Sequence, residues 1–184
     1  MRNVLVLSLL FAFAFVMESF AQVNFSFNGV GVHAGYVKPE DPIESSIGFG
    51  ARAELGTFMK DNITMGALVD YWGKKYGEGT GVESTLSEVT IAPYLHYNFA
   101  MESSFVPYAG GGFGLALNSS EVTVTYLGYS STASSSDTDF IIFGVGGAKM
   151  QINEKLTGFA EARYQIGNID VLSLLFGVVY HLGQ

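Results

Sequence analysis

From Ile47 onward the chain alternates. Ile47, Phe49, Ala51, Ala53 and Leu55 are apolar at the odd positions, and Gly48, Gly50, Arg52, Glu54 and Gly56 stand between them. A repeat of two belongs to a β-strand, whose successive side chains point to opposite faces. The same repeat sets Ile63, Met65, Ala67, Val69 and Tyr71 against Thr64, Gly66, Asp70 and Trp72. It returns with Val89, Ile91, Leu95 and Tyr97 against Glu88, Thr90, Tyr94 and His96, and with Ala109, Phe113, Leu115 and Leu117 against Tyr108, Gly110, Gly112 and Gly114. Towards the end, Ala160, Ala162, Tyr164 and Ile166 oppose Phe159, Glu161 and Arg163, and Leu172, Leu174, Phe176, Val178, Tyr180 and Leu182 oppose Ser173, Gly177 and His181. Two further segments complete eight. Phe25 to Val37 changes phase near Gly29, which predicts a bulge, and Phe140 to Ile152 takes its phase from its neighbour.

The connections alternate in length. Lys38 to Ser45, Lys75 to Glu83 and Asn118 to Thr138 are long and polar, whereas Lys60-Asp61-Asn62, Ala100 to Ser104 and Asn153-Glu154-Lys155 are short; Gly167 to Asp170 is a fourth, brief outer loop. Barrels of the bacterial outer membrane have this arrangement, with short periplasmic turns and longer extracellular loops. The prediction is a closed antiparallel transmembrane β-barrel of eight strands. Lipid accepts only the apolar face, so Phe49, Val69, Ile91, Leu95, Leu174 and Val178 are expected outside. Arg52, Glu54, Asp70, Glu88, Lys149, Glu161 and Arg163 are expected to form a polar network in the lumen. The serine-rich third loop is expected to be mobile.

Two registers follow from the turns. With Lys60-Asp61-Asn62 as a three-residue turn, Met59 faces Ile63 and Arg52 faces Asp70, which predicts an ion pair. With Asn153-Glu154-Lys155 as a turn, Ile152 faces Leu156, Gly147 faces Glu161, and Lys149 faces Phe159, diagonal to Glu161. Tyr94 is expected across from Gly110, where a glycine would make room for its ring.

The first residues add a destination. Met1-Arg2-Asn3, an apolar run from Val4 to Val16 and the small residues Ser19 and Ala21 have the layout of a signal peptide cleaved after Ala21, leaving residues 22–184 as the barrel domain. The run is shorter than the roughly 18 residues of a spanning helix. No cysteine is present to brace an exported chain, so burial or a closed hydrogen-bond ladder must do so. A formal charge of −8 argues against nucleic acid as a partner.

The segment Phe176-Gly177-Val178-Val179-Tyr180-His181-Leu182 resembles the C-terminal assembly signal of outer-membrane barrels, in which Gly177 is followed by apolar residues at Tyr180 and Leu182. Phe105 to Gly114 and Phe159 to Tyr164 are similar to segments of the small barrel family that includes OmpX and the transmembrane domain of OmpA. The resemblance implies periplasmic chaperones, insertion by the barrel assembly machinery, and outer-membrane lipid with lipopolysaccharide as neighbour.

Candidate chemistry is sparse. Gly48-Phe49-Gly50-Ala51-Arg52-Ala53 has the letters of a dinucleotide fingerprint, but the strand repeat runs straight through it. His96 and His181 lie near the periplasmic ends of their strands, and His33, which could approach the outer half, has no serine spaced in its strand to meet it, so all three are expected as structural lumen residues. Glu40, Asp41, Glu44, Asp137 and Asp139 lack a metal-ligand spacing. No cofactor, metal or catalytic residue is expected. The leading function is a structural or surface-interaction role carried by the loops. An alternative is porin-like passage of small solutes or apolar compounds, favoured by the inward glycines Gly48, Gly50, Gly66, Gly110, Gly112 and Gly114. A lipid-modifying enzyme is a lesser alternative.

Overall fold

The computed structural model describes residues 23–182 apart from 78, 80, 102 and 128. The expected signal peptide and its cleavage site lie outside the described residues, as do Gly183 and Gln184. Eight strands follow in chain order: β1 (Val23–Pro39), β2 (Ser46–Phe58), β3 (Lys60–Tyr76), β4 (Val82–Asn98), β5 (Phe105–Tyr126), β6 (Tyr129–Asn153), β7 (Leu156–Ile166) and β8 (Val171–His181). Each pairs antiparallel with its neighbour in sequence, and β1 pairs with β8 to close the ring. Closure leaves no open sheet edge along the shared height, as strands in hydrocarbon require.

The repeat of two sorts the faces. Phe49, Val69, Ile91, Leu95, Leu174 and Val178 are exposed on the outside, while Leu68, Trp72, Tyr94, Tyr108, Phe143 and Phe159 are buried inside. β1 shifts register between Phe25 and Gly29, at the expected bulge.

Three local expectations are corrected. Chain reversal between β2 and β3 takes place at Met59, with φ of 61°, where Phe58 faces Lys60; the polar triplet 60–62 is already strand. A bulge at Gly56, φ 110°, precedes it, so Arg52 faces Leu68 and Asp70 faces Gly50. Tyr94 faces Gly112, and His96 takes the place opposite Gly110. Both slips are of two residues, which changes partners and preserves faces. On β6 and β7 the ladder pairs Gly147 with Glu161 and Lys149 with Phe159 as the turn count gives, although at the tip Asn153 pairs with Leu156.

The third correction concerns the serine-rich segment. It is a hairpin, with β5 and β6 paired without interruption from Phe105↔Met150 to Tyr126↔Tyr129. β7 joins β6 only as far as Ile142↔Ile166, and β2 leaves β3 at Gly48↔Trp72. The upper parts of β3, β4, β5 and β6 therefore rise beyond the ring as a four-stranded sheet. Threonine and serine suit strands when they pair across them, and here Thr123 and Thr132 share a hydrogen bond of 2.9 Å, as do Thr125 and Ser130.

Candidate functional site: the lumen and the protruding sheet

Inward side chains are stacked in layers. Nearest the turns, Glu54 lies 3.7 Å from both Lys149 Nζ and His181 Nδ1, and His181 Nε2 shares a 2.8 Å hydrogen bond with the Thr157 hydroxyl. Lys149 thus meets Glu54, where its diagonal neighbour Glu161 had been expected. Above lie three stacked rings, with His96 at 4.4 Å from Tyr94 and 4.7 Å from Tyr108.

The middle layer carries most of the charge. Arg52 and Asp70 do not form the expected pair. Arg52 reaches across the lumen and donates to both oxygens of Glu161, Nη2 to Oε1 at 2.9 Å and Nη1 to Oε2 at 3.1 Å. Tyr108 donates its hydroxyl to Glu161 Oε2 at 2.6 Å, and Arg163 Nη2 donates to Oε1 at 2.6 Å. Arg163 Nη1 donates to Asp70, which also accepts from His33 Nε2 at 2.6 Å. The Arg52 guanidinium lies 3.9 Å from the centre of the Phe159 ring. Each charge meets an opposite one, as buried ions must, while Arg52 Nε and Arg163 Nε have no hydrogen-bond partner among the described residues. His33, expected only as a lumen residue, belongs to this cluster; sequence gave no sign of it, because β1 and β3 meet only through the lumen.

One layer higher, Glu88 Oε1 accepts from Trp72 Nε1 at 3.2 Å, Thr90 Oγ1 at 3.1 Å and Gln165 Nε2 at 2.9 Å. Val37, Trp72 and Val171, with Ile43, Leu86 and Ile169 packed against them, cap this end with an apolar cluster. The loops beside the cap are tied by Glu40 N donating to Asp170 O at 2.8 Å and by Lys74 bonded to Glu44 at 2.9 Å.

The inward glycines are filled from within. A Cβ on Gly66 would meet the Tyr94 ring, one on Gly112 the Phe143 ring, one on Gly110 the His96 ring, and one on Gly50 both Asp70 and His33. Between His33, Asp70, Glu88, Arg163 and Gln165 lies a cavity of about 20 Å³, little more than a single water needs. No group of three or more metal-ligating side chains occurs among the described residues.

Gly177 faces His33 on β1 and Phe159 on β7, while Tyr180 and Leu182 point outward.

On the protruding sheet the polarity reverses. Below Leu117 the outward phase of β5 and β6 is Phe113, Leu115, Leu117, Phe140 and Ile142; above it the same phase reads Ser119, Glu121, Thr123, Thr125 and, on β6, Ser130, Thr132, Ser134 and Ser136. The phase continuous with the lumen gains apolar residues instead, with Val122, Val124 and Tyr126 on β5 and Tyr129 and Ala133 on β6, among Ser120, Ser131 and Ser135. Tyr126 and Tyr129 are 74% and 83% exposed.

The sequence matches the model of the outer membrane protein beta-barrel domain over residues 7–181. None of the curated proteins matches it. Among solved structures, Neisserial surface protein A is similar at 20% identity and a TM-score of 0.55, covering 87% of this chain and 100% of its own. Ail, the attachment invasion locus protein of Yersinia pestis, solved with the heparin analogue sucrose octasulfate, is similar at 11% identity and a TM-score of 0.57, covering 85% of this chain and 100% of its own.

Proposed function

The chain belongs to the outer membrane protein beta-barrel domain family, and from that premise we propose that it is a surface-interaction protein. The barrel is a closed anchor in the outer membrane, and the sheet formed by the tops of β3 to β6 makes the contact. The observation that carries this reading is the apolar, exposed face of that sheet, since a strand pair built only to join two spans has no use for Val122, Val124, Tyr126 and Tyr129 in water. The packed lumen supports it as well. Porin-like passage needs an open path, and here the space beside the inward glycines is occupied by rings and charges. A polysulfated ligand like the one solved with Ail would meet repulsion at this mouth, which carries Glu40, Asp41, Asp137, Asp139 and Asp170.

Export follows a cleaved signal peptide ending at Ala21, and the segment with Gly177, Tyr180 and Leu182 is the contact for the barrel assembly machinery. N-terminal sequencing of the mature protein tests the first. The functional reading is tested by removing residues 119–136 and measuring binding of cells to host and bacterial surfaces, alongside conductance in planar bilayers. Loss of binding with a silent barrel is expected; unchanged binding and steady channel openings would reverse the assignment.

A further inference from the structure

We infer that the apolar strip on the lumen-side face of the β5–β6 hairpin docks a cationic amphipathic segment of a partner protein. The inference rests on the surface-interaction reading and names the partner's chemistry. The strip runs from Val122 and Ala133, which face each other, through Val124, which faces Ser131, to the facing pair Tyr126 and Tyr129. It spans about 13 Å along the strands, the length of roughly nine helical residues.

Lipid is not its occupant. The strip belongs to the phase continuous with the lumen, and the side of the hairpin turned towards the surrounding membrane is lined with Ser119, Thr123, Thr125, Thr132 and Ser134. Charge chooses among the remaining partners. The mouth below the strip carries Glu40, Asp41, Asp137, Asp139 and Asp170. Against these, the described residues at this end offer Lys38, Lys75 and Lys74, of which Lys74 is engaged by Glu44. A second copy of this chain would bring like charges together, whereas a segment with one apolar and one basic face meets the strip and the carboxylates at once.

The test uses the full barrel in nanodiscs of zwitterionic lipid, with empty discs as control. Three labelled peptides are compared by fluorescence anisotropy: an amphipathic leucine–lysine helix, its leucine–glutamate counterpart, and oligolysine. The leucine–lysine peptide is expected to bind at least about tenfold more tightly than either of the others. Val122→Thr with Val124→Thr and Tyr129→Ser should weaken it about tenfold. These positions lie above the ring, and heat-dependent mobility on gels checks that each variant has folded. Glu40→Gln with Asp137→Asn should weaken binding and flatten its salt dependence.

Equal binding of the glutamate peptide, or of oligolysine, would overturn the inference while leaving the sheet as the contact surface. So would absence of peptide binding when removal of residues 119–136 still abolishes surface attachment. If peptide binding is absent and that deletion also changes nothing, both the inference and the functional reading fall.

Discussion

Replacing Arg52 by methionine removes a guanidinium that makes two hydrogen bonds to Glu161 across the lumen. Both side chains are sealed, with exposures of 3% and 0%. Two unit charges about 4 Å apart attract by about 4 kcal/mol at an effective dielectric of about 20. Breaking one side of a buried pair costs about 3–5 kcal/mol, and Arg52→Met should fall at the lower end, about 3 kcal/mol, because Glu161 keeps Arg163 as a counterion. Glu161→Leu should cost more, since it strands Arg52, frees the Tyr108 hydroxyl and leaves Arg163 with Asp70 alone. Arg52→Met with Glu161→Leu should recover about 2 kcal/mol or more of the summed losses. The assay is urea unfolding of the barrel in lipid vesicles, followed by tryptophan fluorescence of Trp72. The pair Arg52→Met with Asp70→Leu serves as reference and should couple less strongly, because these residues touch only through Glu161 and Arg163. Additive losses in the first cycle would refute the account of the lumen as a cross-braced network.

Val69→Arg and Leu174→Arg, on the outward face, should each cost about 2–4 kcal/mol if placed near the bilayer midplane, measured by the same unfolding; parent-like stability of both would mean that the faces are inverted. Gly50→Val should hinder assembly, since its Cβ would fall on Asp70 Oδ1 and His33 Nε2; the folded fraction on refolding into vesicles reports it, and normal yield would mean that the His33–Asp70 contact can give way freely. Lys74, above the ring, is held above the ordinary lysine value by its hydrogen bond to Glu44. A raised lysine keeps its contact below the ordinary value and loses it as pH rises through the higher one. Amine labelling of Lys74 in mildly alkaline buffer should therefore be slower in the parent than in Glu44→Gln, and equal rates would remove this tie between the first outer loop and β3.

The faces of this barrel were legible because lipid on one side and packed charge on the other impose a strict period of two on Phe49, Arg52, Val69 and Asp70. Partners were less so. The polar triplet Lys60-Asp61-Asn62 has turn composition, yet the chain reverses at Met59, and the Gly56 bulge adds to the displacement. A slip of two leaves each side chain on its own face and gives it a new neighbour, so Arg52 was placed correctly inside and paired wrongly. Contacts across the lumen, such as Arg52 with Glu161 or His33 with Asp70, depend on strand tilt and stagger, which no local pattern encodes. The hairpin was hidden by composition. Serine and threonine read as loop, although Val122, Val124 and Tyr126 against Glu121, Thr123 and Thr125 kept the strand alternation throughout.

The reversal of polarity above Leu117 constrains how such a protein can change its reach. Because β5 and β6 pair residue for residue up to Tyr126↔Tyr129, the hairpin can be lengthened or shortened only in matched steps on both strands. Removing two residues from each keeps the valines and tyrosines on the lumen side and lowers the tip by about 7 Å along the strand. Removing one from each turns the same residues towards the membrane and the hydroxyls inward. Lineages that vary the height of this sheet should thus do so in even increments, a parity rule that can be read directly from hairpin lengths in related chains.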